Sequence, residues 1–318
     1  MLKSLFKAGA IALSMCALAT TAMSKDFEDM KFTIIFYTDA SVEFWNPAIR
    51  GANDAAEQLG VDIDIQFGDS NPEKQNNIIQ AAIANEVDGI GLGIFNSDAF
   101  VESICQAEDA GITVIAFNVD NLGGADASCR SAYVGQDDQA AGAKVAARLV
   151  EEFGLSAGDK VLAPVELPEA TYAVKRSTGV RSVLEPLGIT VDVIRSTTNP
   201  GEAQTIIAQY LLANPDTKAI VGLGQTPTNA APPAMAELGM SLPLVGFDLS
   251  PQIADAIKAG TLTATVDQQP YSQGYFTVIQ LAMAKRYGLA PSNFDTSGTG
   301  LVDVSNVDAA VEYMGVTR

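Results

Sequence analysis

The residues best suited to chemistry in this sequence are short polar side chains and aromatic rings that follow apolar, strand-like runs. Aspartate, asparagine and glutamine recur at these positions, and Phe44 and Trp45 stand side by side after the first run. Amides and carboxylates suit hydroxyl groups, and flat rings suit the C–H faces of a sugar or polyol. An anionic ligand would need clustered arginine or lysine instead. The pattern therefore indicates a site for an uncharged molecule rich in hydroxyl groups.

Each candidate also has a plainer structural interpretation. Aspartate and asparagine after a strand can cap the next helix, and Asp98 and Asn199 fit that role as well as a binding role. Asp248, in the stretch VGFDLSP, lies between a predicted strand and a predicted helix. For Phe44 and Trp45 the alternative is packing of a helix against the sheet. The candidate ligand-binding residues are Asp39, Phe44, Trp45, Asn118, Asp120, Gln136, Glu166, Arg176, Gln225, Asp248 and Gln268.

Catalytic and cofactor motifs are weak. The sequence contains no histidine, which excludes histidine-based catalysis and histidine metal sites. Gly222-Leu223-Gly224 resembles the start of a dinucleotide fingerprint but lacks its third glycine. Asp137 and Asp138 are adjacent, and adjacent carboxylates rarely converge on one bond as a glycosidase requires. We therefore predict a binding protein without catalytic residues, metal or cofactor, and a secreted enzyme as a minor alternative.

Strand-like and helix-like segments alternate along the chain, which is typical of parallel sheets covered by helices on both faces. The predicted strands are Phe32–Thr38, Asp62–Phe67, Gly89–Ile94, Thr113–Asn118, Ala132–Gly135, Lys160–Val165, Thr190–Arg195, Ala219–Leu223, Leu244–Phe247 and Ala264–Asp267. The predicted helices are Pro47–Leu59, Pro72–Asn85, Ser97–Ala110, Asp138–Phe153, Ala170–Leu187, Pro200–Ala213, Thr228–Leu238, Ser250–Ala259 and Pro270–Tyr287.

The boundaries and order of these segments predict an α/β fold with two doubly wound parallel-sheet lobes. Asn46-Pro47 and Asn71-Pro72 each predict an N-cap followed by proline in the first turn. The two halves of the chain repeat the same alternating pattern without a low-complexity linker. Ligands bind beyond the carboxyl ends of the strands in such sheets, so two facing lobes would form a cleft there.

The N-terminus has the features of a secretory signal peptide. Lys3 and Lys7 precede an apolar run, AGAIALSMCALA, which is too short to span a bilayer and is followed by small residues. We predict that residues 1–24 are removed, with cleavage after Ala22 or Ser24, and that the mature protein is periplasmic. Cys16 leaves a lipoprotein as the alternative.

The mature chain is strongly acidic. Loss of Lys3 and Lys7 changes the formal net charge from −19 to −21. Such a chain lacks the positive surface that nucleic acids require, and it favours a soluble monomer. Two cysteines remain, Cys105 and Cys129. An even count in an oxidising compartment predicts a disulfide, with two separate buried thiols as the alternative.

Five stretches together resemble a known family. They are FWNPAIRGANDAAEQLGV, GDSNPEKQNNIIQAAIANEVDGI, YVGQDDQAAG, LVGFDLSP and TATVDQQPYSQGY. The chain resembles the type I periplasmic binding proteins of ABC sugar importers, the ribose-binding and autoinducer-2-binding group, over nearly all of its mature length.

The resemblance implies a set of binding residues. Phe44 and Trp45 match the stacking aromatics, Asn118 matches a sugar-binding aspartate, and Gln136 matches a hinge serine. Asp248 and Gln268 match the second-lobe aspartate and the glutamine of the last hinge strand. The departures from the family pattern argue against ribose and autoinducer-2, and they leave a neutral monosaccharide or sugar alcohol. These departures are Val119 and Val174 in place of two arginines, Thr38 in place of a lysine and Thr198 in place of an aromatic residue.

The resemblance also implies three crossings between the lobes, near Gln136, Gln268 and Asp295. The N-terminal lobe would comprise residues 25–136 and 269–294, and the C-terminal lobe residues 137–268 and 295–318. The lobes would close on the ligand like a hinge, and the closed form would dock on a membrane permease of an ABC importer. A sensor that serves a chemoreceptor or sensor kinase stays an alternative, whereas a repressor would need a DNA-binding segment where the signal peptide stands.

Overall fold

The computed structural model describes residues 25–297 and 300–318. The predicted signal peptide and the lipoprotein alternative at Cys16 lie outside the described residues. The strands are β1 (Lys31–Phe36), β2 (Asp62–Phe67), β3 (Gly89–Leu92), β4 (Thr113–Phe117), β5 (Ala132–Gly135), β6 (Lys160–Val165), β7 (Thr190–Arg195), β8 (Thr217–Val221), β9 (Leu244–Phe247), β10 (Ala264–Val266), β11 (Phe294–Asp295) and β12 (Val302–Asp303). The α-helices are α1 (Asn46–Leu59), α2 (Pro72–Ala84), α3 (Val101–Asp109), α4 (Asp138–Phe153), α5 (Thr171–Leu184), α6 (Pro200–Ala213), α7 (Gln225–Glu237), α8 (Pro251–Lys258), α9 (Pro270–Tyr287) and α10 (Val307–Glu312).

The strands form two six-stranded sheets with the same winding. Their orders are β11-β5-β4-β3-β1-β2 and β12-β10-β9-β8-β6-β7. Neighbouring strands pair in parallel, except that β12 runs antiparallel to β10. The order reverses beside β1 in one sheet and beside β6 in the other, so each sheet has a switch point where its strand ends diverge. The predicted fold class is confirmed.

The chain passes between the two sheets three times, after β5, after β10 and after β11. These passages lie at the three crossings that the resemblance implied. The β11 and β12 strands beside the last passage are two residues each, too short for any periodic pattern to predict.

Proline and asparagine begin several helices, although one predicted cap is wrong. The Asn71 side chain accepts from the Lys74 amide at 3.1 Å, and the Asn199 side chain accepts from Gly201 and Glu202. Asn46, in contrast, already has helical dihedral angles (φ −53°, ψ −47°), and Trp45 occupies the N-cap position without a side-chain hydrogen bond. A short 3₁₀ turn at Glu43–Trp45 leads directly into α1, so no side-chain cap is made.

Two predicted helix starts are also displaced. The helix predicted from Ser97 begins at Val101, because the Asn96 side chain accepts from the amides of Asp98 and Ala99 and holds a turn before it. Asp98 is therefore not the cap. The helix predicted from Thr228 begins earlier, at Gln225.

Glycines allow one close helix crossing in each half of the molecule. A Cβ added at Gly274 of α9 would lie 1.9 Å from the Ala48 carbonyl oxygen of α1. A Cβ added at Gly179 of α5 would lie 2.0 Å from the Gln139 carbonyl oxygen of α4. Both helix pairs therefore meet backbone to backbone. In the second pair, this contact fixes the position of α5 and of its side chains.

The Cys105–Cys129 disulfide is confirmed, and it ties α3 to the segment before β5. Within the part of the chain that the structure describes, no helix has the length and apolar character of a membrane span.

Candidate functional site

A cavity of about 120 Å³ lies where the carboxyl ends of both sheets face one another. Its volume far exceeds the space that a single water needs. The first sheet contributes residues that follow β1 and β4, and the second contributes residues that follow β6, β7, β8, β9 and β10. The lining residues are Tyr37, Thr38, Val42, Phe44, Trp45, Asn118, Glu166, Leu167, Tyr172, Arg176, Thr198, Gly224, Gln225, Thr226, Asp248 and Gln268.

The aromatic wall is built around Trp45. Its ring centroid lies 4.9 Å from that of Phe44, 5.0 Å from Phe36 and 5.3 Å from Tyr37. The indole N–H donates to the Thr38 hydroxyl. Trp45 is 1% exposed and belongs to the core, while Phe44 is half-buried. The sequence left two interpretations of this pair, a cavity wall and core packing. Trp45 fits both, because it lines the cavity and is also buried in the core.

A chain of amides and a carboxylate connects the two sheets across the cavity. The Asn118 Nδ2 group donates to Gln268 Oε1 at 3.1 Å and to Gln273 Oε1 at 2.9 Å. The Gln268 side-chain amide donates in turn to the Asp248 carboxylate. All four side chains are buried. Because Gln268 lies on one of the passages between the sheets, this network couples the hinge to the cavity.

Asn118 and Asp248 occupy matching positions, directly after β4 and after β9. Both have left-handed backbone dihedral angles, with φ of 63° and 71°. A non-glycine residue in this region costs on the order of 1 kcal/mol and usually marks a functional constraint. The conformation turns each side chain at the end of its strand, where it joins the hydrogen-bonded network.

Arg176 is buried in the cavity wall, where it makes two hydrogen bonds within the protein. Its Nε donates to Asp138 at 2.8 Å and its Nη1 donates to the Leu223 carbonyl oxygen at 2.8 Å. The guanidinium carbon lies 4.2 Å from the centroid of the Phe247 ring. The charge of Arg176 is thus matched by Asp138.

Two further carboxylates, Glu166 and Asp248, line the cavity. Glu166 accepts from the Tyr172 hydroxyl at 3.1 Å and from the Thr226 amide at 3.1 Å. Burial raises the pKa of Glu166 above its ordinary value, and repulsion from Asp248 adds to that shift. Burial also raises the pKa of Asp248, against the attraction of Arg176.

Three candidate residues lie outside the cavity. Asp39 is exposed, and its carboxylate accepts from the Ser41 amide at 2.9 Å. Asp120 is buried in an ion pair with Arg130 at 2.6 and 2.7 Å. Gln136 lines a separate cavity of about 360 Å³ beside Asp120, and its amide has no hydrogen-bond partner among the described residues.

Their binding roles consequently stay predictions without support from the cavity geometry. The other candidates come together in the cavity. Arg176 reaches it from within α5, and the rest lie at strand ends, as predicted: Phe44, Trp45, Asn118, Glu166, Gln225, Asp248 and Gln268.

Sequence reasoning missed two tyrosines of the cavity. Tyr37 lay inside the predicted first strand, but β1 ends one residue earlier, at Phe36. Tyr172 lay inside a predicted helix, and it faces the cavity from the first turn of α5. A tyrosine next to the last position of a predicted strand, as Tyr37 is in Phe32–Thr38, is the signal that could have identified the first of them.

The cavity continues outward into a groove of about 640 Å³ that shares Phe44, Thr198 and Asp248 with it. No cluster of metal-ligating side chains occurs in residues 25–297 or 300–318. The site therefore has the form of a pocket that opens into a polar, acidic groove.

Similarity to known proteins agrees with this geometry. Residues 32–287 match the model of the family described as "Periplasmic binding protein domain". The chain is 26% identical over 300 residues to the xylose/arabinose-binding protein XylF of Sulfolobus acidocaldarius, covering 88% of this chain and 73% of that one. It is 27% identical over 274 residues to the D-apiose import binding protein of Actinobacillus succinogenes, covering 84% and 86%.

The structure is similar to that of a carbohydrate transporter from Acidothermus cellulolyticus 11B in complex with myo-inositol. The TM-score is 0.80 and the identity is 27%, covering 90% of this chain and 98% of that one. Because the family model covers most of the chain, the assignment does not depend on any single relative. The protein belongs to the periplasmic binding protein family, whose members bind solutes rather than catalyse reactions.

Proposed function

We propose that this protein captures a monosaccharide or sugar alcohol in the periplasm and delivers it to the permease of an ABC importer. The observation that carries the proposal is the cavity between the two sheets, where an aromatic wall faces the Asn118–Gln268–Asp248 network. Stacking on a ring and paired hydroxyl groups are the two interactions that a sugar or polyol offers. Several relatives, by their names, bind or import pentoses and hexoses.

Closure of two lobes around the ligand follows from the same arrangement. We take the lobes to be residues 25–136 with 269–294 and residues 137–268 with 295–318. A ligand that contacts both lobes binds the closed form more tightly than the open form, and this difference drives closure. Buried hydroxyl groups whose hydrogen bonds are all made supply that difference. The closed monomer would then be the form that the permease recognises.

Several features support periplasmic location and export. The family itself is periplasmic, the Cys105–Cys129 disulfide suits an oxidising compartment, and the predicted signal peptide would direct secretion. Mass spectrometry of the mature protein from the periplasm would locate the cleavage site, which we expect after Ala22 or Ser24.

A thermal-shift screen over pentoses, hexoses, deoxysugars and polyols tests the substrate class. A ligand at 100 times its Kd should add about 2.7 kcal/mol to the free energy of unfolding. We expect a small set of carbohydrates to raise the melting temperature. If amino acids or anions raise it and no carbohydrate does, the proposal is wrong.

A further inference from the structure

The cavity has an excess of negative charge that an uncharged sugar would leave unbalanced. Among the described residues that line it, Arg176 is the cationic side chain, and its charge is matched by Asp138 at 2.8 Å. Glu166 and Asp248 are 8% and 5% exposed, and Arg176 attracts both of them without coming within ion-pair distance of either. Buried carboxylates without a partner cation are costly.

Both carboxylates keep free capacity toward the cavity. An ionised carboxylate has about four lone-pair sites. Glu166 uses two of them on the Tyr172 hydroxyl and the Thr226 amide, and Asp248 accepts from the Gln268 side chain and the Gln225 backbone amide. The remaining sites can accept from a ligand, and a charged donor forms stronger hydrogen bonds than a hydroxyl group does.

Aromatic rings line the same cavity. Tyr37, Phe44, Trp45 and Tyr172 all contribute to its wall. Ring faces attract a cation within about 6 Å of their centroids, more strongly when water is excluded. Rings and carboxylates together make a better environment for an ammonium group than for a neutral hydroxyl.

The absence of cationic clusters at the strand ends argues against anionic ligands, but it does not separate neutral ligands from cationic ones. We propose that the preferred ligand is an amine-bearing monosaccharide or amino-polyol, whose ammonium group binds between Glu166 and Asp248. This inference rests on the proposed function and narrows its ligand class. We test the inference at Glu166, because substitution of Asp248 would also break its hydrogen bond with the hinge residue Gln268.

Calorimetry on the wild-type protein gives the first test. The probes are glucosamine, galactosamine, mannosamine and glucamine, compared with glucose, galactose, mannose and glucitol. The N-acetylated amino sugars serve as uncharged controls. We expect at least one amine to bind about tenfold or more tightly than both its parent and its N-acetyl form, equivalent to about 1.4 kcal/mol.

The Glu166→Gln variant gives the second test, because it removes the charge while keeping the size of the side chain. We expect it to weaken binding of the amine by a much larger factor than binding of the parent sugar, so that the preference for the amine is largely lost. Glu169→Gln is the matched control, since Glu169 lies three residues away, is exposed and pairs with Arg195 outside the cavity. It should keep the wild-type preference.

The outcomes separate this inference from the proposed function. If neutral sugars bind as tightly as their amino analogues, or if Glu166→Gln keeps the preference, the inference is overturned and the sugar-binding function stands. If no carbohydrate of either class binds, both are overturned.

Discussion

Phe44 and Trp45 are neighbours in the chain, but their side chains differ in how deeply they are buried. Trp45 is surrounded by Phe36, Tyr37 and Phe44 and is 1% exposed. Phe44 is half-buried, and it lines both the cavity and the outer groove. Substitution at the two positions should therefore separate ligand binding from stability.

We expect Phe44→Ala to lower ligand affinity about tenfold, or about 1.4 kcal/mol, because it removes a ring from the wall of the proposed binding cavity. Its free energy of unfolding should change by only about 1 kcal/mol. Trp45→Ala should cost about 3–5 kcal/mol of stability, as truncation of a buried aromatic side chain does. Calorimetric titration and denaturant melts measure both effects. Equal losses of stability in the two variants would contradict this division of roles.

The buried carboxyl groups predict an unusual pH dependence of stability. The pKa of Glu166 is raised in the folded protein by burial, so the folded state binds its proton more tightly than the unfolded state does. The stabilisation is fully present below the unfolded pKa, about 4.3, and is lost as the pH rises through the folded pKa. In this window the ligand-free protein should lose stability as the pH increases.

Glu166→Gln should flatten that slope and raise the melting temperature at neutral pH. Glu169 should contribute the opposite dependence of stability on pH. Its hydrogen bond with Arg195 lowers its pKa, so any stabilisation from it is lost on acidification. Melting curves of both variants between pH 4 and pH 8 compare the two slopes. An unchanged slope in Glu166→Gln would contradict the prediction.

The sequence predicts many of the individual cavity residues, because the carboxyl ends of parallel strands lie at the same edge of a sheet and bring their polar residues together. Asn118, Asp248 and Gln268 came together for that reason. Asp120 did not, since Arg130 lies ten residues further along and pairs with it, and local pattern cannot reveal such a partner. Asp39 lines the outer groove rather than the cavity, and its carboxylate accepts from Ser41, two residues further along the chain.

At the scale of elements, the paired glycine crossings hold α5 against α4 and α9 against α1. Gly179 lies one turn of α5 beyond Arg176, and Arg176 is part of the cavity wall. The position of α5 thus determines where the side chains of Arg176 and Tyr172 lie in the cavity wall.

Gly179→Ala should lower the free energy of unfolding by about 1–3 kcal/mol, because the added methyl group overpacks the crossing. Its Cβ would lie 2.0 Å from the Gln139 carbonyl oxygen and 2.8 Å from the Ala143 amide nitrogen. Ligand affinity should fall as well, since α5 must shift. Denaturant melts and calorimetry measure the two effects.

Gly201→Ala is the control for this substitution. Gly201 lies in the first turn of α6, where an added Cβ meets only Asn199 Oδ1 at 3.5 Å. Alanine favours helix over glycine by about 1 kcal/mol, so this variant should be neutral or more stable. Equal destabilisation of both variants would show that the crossing is not the cause.

The bounds of a helix were predictable where its start signal and its periodic apolar pattern agree. α4, α6 and α9 match their predicted bounds, because a cap or proline begins each helix and the periodic pattern ends clearly. β11 and β12 could not be predicted, since strands of two residues are defined by their neighbours in the sheet rather than by their own residues.

At the scale of the whole molecule, α5 also joins the two halves directly beside the cavity. The Thr171 hydroxyl donates to the Ile94 carbonyl oxygen at 2.9 Å, and its amide donates to Phe95 at 3.1 Å. Lys175 Nζ donates to the Asn121 carbonyl oxygen at 3.2 Å. Thr171 and Lys175 are not among the residues that line the cavity, so these contacts favour the closed form without contacting the ligand.

Thr171→Val should therefore weaken ligand binding about tenfold. The substitution should destabilise the closed form, while the residues that line the cavity stay unchanged. The variant loses one hydrogen bond and buries an unpaired carbonyl group, which costs about 1–3 kcal/mol. Small-angle scattering should show a more extended ligand-free population. Thr178→Val is the control, since Thr178 is exposed on the same helix and its hydroxyl bonds only within α5. Equal affinities of the two variants would contradict the role of Thr171.

Trp45 is the single tryptophan of the chain, and its indole lies in the wall of the cavity with its N–H on Thr38. Light at the red edge of the protein absorption band excites this one ring, so the whole emission signal originates at the wall of the proposed binding cavity. The protein consequently contains its own fluorescent reporter, and stopped-flow mixing can follow occupancy and closure in real time without any attached dye.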